Sequence, residues 1–183
     1  MARSQAVILD AAVALLAEHG VGGLSVEAVA ARAGVGKATV YRHWPTRARL
    51  VLAAIESLLV DEPAPDTGNL LDDLALCLAG VIGVCSTPPL SSVLPSLIDA
   101  SERDAELAAL HHDFSSRRRV PLRAVLDRAA ARGDLKRGLD LDVLADVIVG
   151  PLFYRRLVRR QPPDEAYVEQ VLALLRPVLA APA

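Results

Sequence analysis

Lys37, Ala38, Thr39, Tyr41, Arg42 and His43 lie within seven residues, spaced so that a helix turns them outward and leaves Val40 and Trp44 for its buried side. Two cations, a hydroxyl, a phenol and an imidazole around a small alanine offer donors to phosphates and base edges with little bulk. That chemistry suits a helix laid in a DNA groove. Catalytic patterns have less support: there is no glycine-rich phosphate loop, no Gly-x-Ser-x-Gly elbow and no His-Glu-x-x-His. His111, His112 and Asp113 are adjacent, but helical neighbours point about 100° apart and no second cluster accompanies them. A solvated face is expected there, with no metal and no cofactor. Arg117, Arg118 and Arg119, and the group Arg155, Arg156, Arg159 and Arg160, are expected to meet water and the acids around them.

A helix this short needs neighbours to hold it. Ser25 is placed to cap a preceding helix whose apolar side is Val26, Val29, Ala30 and Ala33. Gly34 can take the left-handed conformation that ends it, Val35 plugs the turn, and Gly36 opens the next helix. Leu24 to Arg47 therefore reads as a helix-turn-helix. Behind it, residues 4–19 form a helix with Val7, Ile8, Ala11, Ala12, Leu15 and Leu16 on one stripe, ending at Gly20. A fourth helix starts at Thr46, a capping residue after Pro45, and is expected to run to about Val60.

Ala33, Gly34, Val35, Thr39, Tyr41 and Trp44 fit an alanine-glycine turn followed by Thr-x-Tyr-x-x-aromatic. Through them the chain resembles the amino-terminal domain of the TetR/AcrR family of bacterial transcriptional regulators. It departs at Gly36, where the family often has a capping serine, and at Arg47, where lysine is usual. The first change weakens the cap by a few tenths of a kcal/mol; the second keeps the charge. The helical periodicity reads as an all-α chain of about nine helices, and the resemblance implies a TetR-like body of five or six of them. A three-helix DNA-binding head (1–50) would precede a helical body for effector binding and dimerisation (51–183). It also implies DNA contacts from Thr39, Tyr41 and His43, to which exposure and charge add Lys37 and Arg42, with Gly36 and Ala38 close to the groove. Ser25, Tyr41 and Arg47 are expected to hold phosphates. The stretch Gly150–Leu157, GPLFYRRL, resembles one subgroup of the family.

The chain is 183 residues long with net charge −2, but the charge is uneven. Residues 1–50 hold six Lys or Arg against three acids, and residues 51–183 hold 14 against 19. A basic front on an acidic body suits a module that binds a phosphate backbone. No signal peptide is legible, because Asp10 interrupts the first apolar stretch. A cytoplasmic protein without a membrane partner is expected. Cys77 and Cys85 would lie about 12 Å apart along one helix, too far to bridge. They suit a reducing compartment and a packing role.

Past the proline-rich loop at 61–68 the periodicity stays helical. Helices are expected at 69–86, 91–101, 104–132 with a bend near Pro121, 140–159 and 164–181. Residues 74–98 carry no charge, which predicts a helix at 74–86 buried on all sides. Two readings stand for this run. Either its apolar residues fill the core, or Leu74, Leu78, Ile82, Leu94 and Leu97, with Phe114 opposite, line a chamber for a small, largely apolar effector, as the resemblance implies. The last two helices carry a second surplus in Leu144, Val147, Ile148, Gly150, Val168, Val171, Leu172 and Leu175. The resemblance implies a homodimer seam there, matching a palindromic double-stranded operator. Gly150-Pro151 is either a close approach of a partner backbone or a kink within the subunit. The expected function is thus a ligand-released regulator, most simply a repressor. The alternatives are a DNA-binding dimer without an effector, and a small enzyme or carrier body with a DNA-binding head.

Overall fold

A computed structural model of the chain describes residues 2–179. Among these residues there are ten α-helices, one π-turn and no strand. The helices are α1 (Ala2–Gly23), α2 (Val26–Ala33), α3 (Lys37–His43), α4 (Arg47–Glu56), α5 (Leu70–Ser86), α6 (Leu90–Ser101), α7 (Ala105–Arg118), α8 (Val120–Arg132), α9 (Leu141–Phe153) and α10 (Glu165–Leu179). The π-turn, Tyr154–Val158, follows α9.

The helix expected over 104–132 is two helices. Pro121 has no N–H to give and its ring would strike the carbonyl four residues back, so it sits in the first turn of a new helix instead of bending an old one. Pro151 acts differently. It stays inside α9, and beyond it the ladder widens until the Arg159 N–H donates to Tyr154 O at 3.1 Å, five residues back. The helix begun at Thr46 also stops early, at Glu56.

The packing divides into two compact units, one holding residues up to Asp61 with Pro88–Ser115, the other Glu62–Thr87 with the residues from Ser116 onward. Residues 51–61 and the helices α6 and α7, assigned to the body from the sequence, thus pack with the amino-terminal helices. In this first unit Ile8 and Leu16 of α1, Val29, Val40 and Leu50 share a core with Val93 and Leu97 of α6 and Leu107 of α7. Gly20 explains how α1 meets α6. Its φ of 67° bends the helix, and a Cβ there would come within 3.2 Å of Ser96, whose hydroxyl accepts the Val21 N–H at 3.2 Å. Within α1, Ser4–Gly23 is long and apolar enough to cross a membrane by length and composition. The apolar side of α1 is nevertheless taken up by this core.

The second unit packs α5, α8, α9 and α10 around Leu74, Leu78, Leu126, Ile148, Leu152 and Leu172. Its entering loop is held from below. Buried Asp73 accepts the Thr67 N–H at 2.7 Å and the Thr67 hydroxyl at 2.8 Å, while Arg128 donates to Pro65 O. The 74–86 stretch of α5 is not buried on all sides as its lack of charge predicted: Leu76 is 52% exposed, and Ala79 and Gly80 also face outward. Absence of charge marked an uncharged surface, not an interior one.

Candidate nucleic-acid interface

Local signals build the α2–α3 pair. The Ser25 hydroxyl accepts the Ala28 N–H at 3.1 Å and starts α2. Gly34, at φ 65° and ψ 31°, ends it in the left-handed region. The Val35 N–H then reaches back to Ala30 O at 3.0 Å, and its side chain packs on the core. Gly36 caps α3 without a side-chain bond. Only Val40 of α3 is buried; Lys37, Ala38, Tyr41 and Arg42 are exposed, and Thr39 and His43 are half-buried. Trp44 closes the helix by donating its N–H to Val40 O at 2.9 Å and packs against the core. The structure therefore gathers the expected reading residues on one outward face.

Two charges behave differently from expectation. Arg47, placed on a phosphate by sequence reasoning, turns inward: its Nε donates to Leu24 O at 2.7 Å and a terminal nitrogen donates to Val21 O. Those carbonyls lie where α1 ends and the chain turns into α2, where helical partners run out and a cation is favoured. Arg47 is a clamp across the base of the helix-turn-helix, and the carbonyls that hold it leave no mark in a sequence. Lys37 does face outward, but its ammonium sits 2.9 Å from Glu27 of α2 and holds that carboxyl below the usual carboxylate range. Among the described residues Arg42 has no ion-pair partner, so it is the uncompensated cation of α3.

The supports of this face are ion pairs and caps. Glu18 of α1 receives both terminal nitrogens of Arg32 of α2, at 2.9 and 2.6 Å, and those bonds lower its pKa. Thr46 caps α4 by accepting the Arg49 N–H at 3.3 Å, and its own hydroxyl donates to Glu106 of α7 at 2.8 Å. Gln5 of α1 reaches His43, with its Nε2 3.0 Å from Nδ1 of the ring. Sequence reasoning missed Gln5, Glu27 and Glu106, since nothing in their spacing ties them to α3 or α4.

The residues expected around an effector divide between the units. Leu74 and Leu78 are fully buried and Ile82 half-buried in the second unit; Leu97 is buried, and Leu94 and Phe114 half-buried, in the first. Leu74 and Leu78, at 0% exposure, border no space that admits a water, so in this conformation they are core and not lining. A shallow surface cleft of about 240 Å³ in the second unit is lined by Gly68, Asn69, Leu70, Leu71, Asp134, Arg176 and Leu179, none of them among the expected six. Burial pushes both thiols, Cys77 and Cys85, up to about 11, which makes them poor nucleophiles.

The residues expected at a seam divide as well. Leu144, Ile148, Val168, Val171 and Leu172 are buried within the chain, while Val147 and Gly150 are exposed and Leu175 is half-buried. The outward apolar stripe runs one step further round: Val143, Val147, Tyr154 and Val158 on α9 and the π-turn, and Leu174 and Val178 on α10, are 47–79% exposed. Arg155 lies behind it, its guanidinium 4.1 Å from the centre of the Tyr167 ring.

Comparison with known proteins accords with this architecture. Residues 8–54 match the family described as bacterial regulatory proteins, tetR family, and residues 64–175 match the tetracyclin repressor-like C-terminal domain. Over 166 residues the chain is 37% identical to an uncharacterized HTH-type transcriptional regulator of Mycobacterium tuberculosis, covering 90% of this chain and 82% of the relative. The DNA-binding transcriptional repressor TetR of Mycobacteroides abscessus is 30% identical over 180 residues, 94% of each chain. The crystal structure of a TetR family transcription regulator, 31% identical, superimposes with a TM-score of 0.74 over 97% of this chain and 99% of that one. With a helix-turn-helix at its front and a helical body behind, the chain belongs to the TetR family of DNA-binding bacterial transcriptional regulators.

Proposed function

We propose that the protein is a homodimeric, ligand-responsive repressor that reads a palindromic operator with α3 of each copy. The observation that carries this reading is the pairing of an outward polar α3 with an apolar stripe that the chain leaves uncovered. One copy brings a single uncompensated cation on α3, too little phosphate neutralisation for tight binding. Two copies joined along the stripe double it and set two reading helices about one DNA turn apart, ~34 Å. Thr39, Ala38, Lys37, Arg42 and His43 then meet base edges or nearby backbone, with Gly36 admitting close approach. Tyr41 donates to a phosphate, and so does Ser25, whose oxygen caps α2 while its hydrogen remains available. Gly150 fits the seam: it is exposed, and a Cβ there would meet nothing within 4 Å, so the subunit's own packing does not demand the glycine. Repression follows the relative from Mycobacteroides abscessus named a repressor, and the place of work is the cytoplasm, beside the chromosome.

For the effector, the uncharged run 74–98, which spans most of α5 and α6, supports a small, largely apolar compound. Bound more tightly by the form that does not fit the operator, it would release DNA by a population shift. The full burial of Leu74 and Leu78 favours a second reading, a regulator with a solid body and no effector. Selection of duplexes from fragmented chromosomal DNA tests the first part: a recovered two-fold symmetric site is expected, and failure to enrich any sequence removes the regulator reading. Thermal shift against an apolar compound library decides the second, since a ligand that releases the duplex must also stabilise the free protein.

A further inference from the structure

His43 ends α3, and its ring is held from outside the helix-turn-helix. Gln5, in the first turns of α1 and 38 residues away in sequence, places its amide nitrogen Nε2 3.0 Å from His43 Nδ1. An amide nitrogen only donates, so Nδ1 accepts, and the neutral ring then carries its hydrogen on Nε2. Trp44 steadies the same ring, with centroids 5.5 Å apart and planes tilted by 58°. Nε2 itself has no hydrogen-bond partner among the described residues.

We infer that Gln5 is a positioning residue for DNA recognition: it fixes His43 as an Nε2–H donor, so the end of α3 addresses an acceptor on the duplex. The acceptors that fit are a phosphate oxygen and the base-edge acceptors of the major groove, N7 or O6 of guanine, N7 of adenine and O4 of thymine. The opposite tautomer would present a lone pair and seek a donor, such as the amino group of adenine or cytosine. Setting the tautomer before binding removes a choice the ring would otherwise make at the DNA surface. The inference rests on the reading of α3 as the DNA contact.

The test uses the full chain and a duplex that the wild-type protein selects from a randomised pool, at a pH above about 8 where imidazole is neutral. Nitrogen-15 spectra of the wild-type side chain should show His43 protonated on Nε2 with Nδ1 as acceptor. Gln5→Met, of similar length but without a donor, should move the signals toward mixed tautomers with an unchanged melting curve, and weaken duplex binding about three- to tenfold. His43→Ala should weaken it about tenfold, and the double variant no further, because Gln5 acts through His43. Reselection with His43→Ala separates the acceptors: loss of preference at one base pair marks a base edge, and a uniform loss over all sequences marks a phosphate. A wild-type hydrogen on Nδ1, or losses from the two single variants that simply add, overturns the inference while leaving α3 as the contact. Wild-type affinity in His43→Ala removes that contact reading together with the inference.

Discussion

The outward face of α3 and the stripe on α9, the π-turn and α10 are both open to solvent, yet they are finished to different degrees. Around α3 every support lies within one chain: the Ser25 and Thr46 caps, the left-handed Gly34, the Arg47 clamp on Val21 and Leu24, and Gln5 on His43. What it shows to water is polar and content there. Along α9 and α10 the exposed groups are Val143, Val147, Tyr154, Val158, Leu174 and Val178, apolar surface that water does not favour. The difference teaches that one region is supported like a completed tool, while the other, on the dimer reading proposed above, is half of a joint. Local chemistry holds the tool, and on that reading a second copy completes the joint.

The largest effect should come from breaking the joint without touching the tool. Val147→Glu with Leu174→Glu puts two carboxylates into the stripe, and the variant should keep its helical circular dichroism while binding a selected duplex about a hundredfold or more weaker, the avidity of two linked reading heads being lost. Loss of helical signal would show instead that the stripe stabilises the single chain.

The next effect compares neighbours on α9. Ile148→Ala empties a fully buried site and should cost about 2–5 kcal/mol in a denaturant titration, whereas Val147→Ala, one residue away and 47% exposed, should show its effect mainly as concentration-dependent melting. Equal costs at the two positions, independent of protein concentration, would erase the distinction between core and seam.

Arg47→Ala tests the tool from behind. Losing a charged donor to two carbonyls should lower the stability of the first unit by about 2–3 kcal/mol, while the slope of duplex affinity against salt stays as in the wild type. A flatter slope would return Arg47 to the phosphates. Tyr41→Ala, with its side chain outside, should weaken binding on all sequences. At the small end, Gly36→Ser should gain a few tenths of a kcal/mol, because α3 lacks a side-chain cap and a Cβ at Gly36 meets nothing within 4 Å. A loss of stability there would mean that the serine cannot cap.

The legibility of these regions follows from the range of the forces that form them. Ser25, Gly34, Val35 and Thr46 act within five residues of themselves, so their roles in α2, the turn and α4 could be read directly. The inward bonds of Arg47 were not legible, because charge is visible in a sequence but carbonyls 23 and 26 residues away are not. Pro121 was taken for a bend because a proline that kinks a helix and one that opens a helix look alike until the neighbouring turn is seen. The exposed apolar stripe lies one step round α9 from the residues expected at a seam, for a related reason. Val143, Leu144, Val147 and Ile148 are all apolar, so periodicity could not say which stripe the core takes and which is left over. Leu97 and Leu78, joined by an uncharged run, fall in different compact units because absence of charge carries no information about packing partners.

The most direct measurement is sedimentation velocity of the wild-type protein alone and with its selected duplex, beside the Val147→Glu/Leu174→Glu variant. The account predicts a dimer that adds two chains to each two-fold site, and a folded monomeric variant. A wild-type protein that sediments as a monomer and binds the duplex tightly as one chain would contradict it.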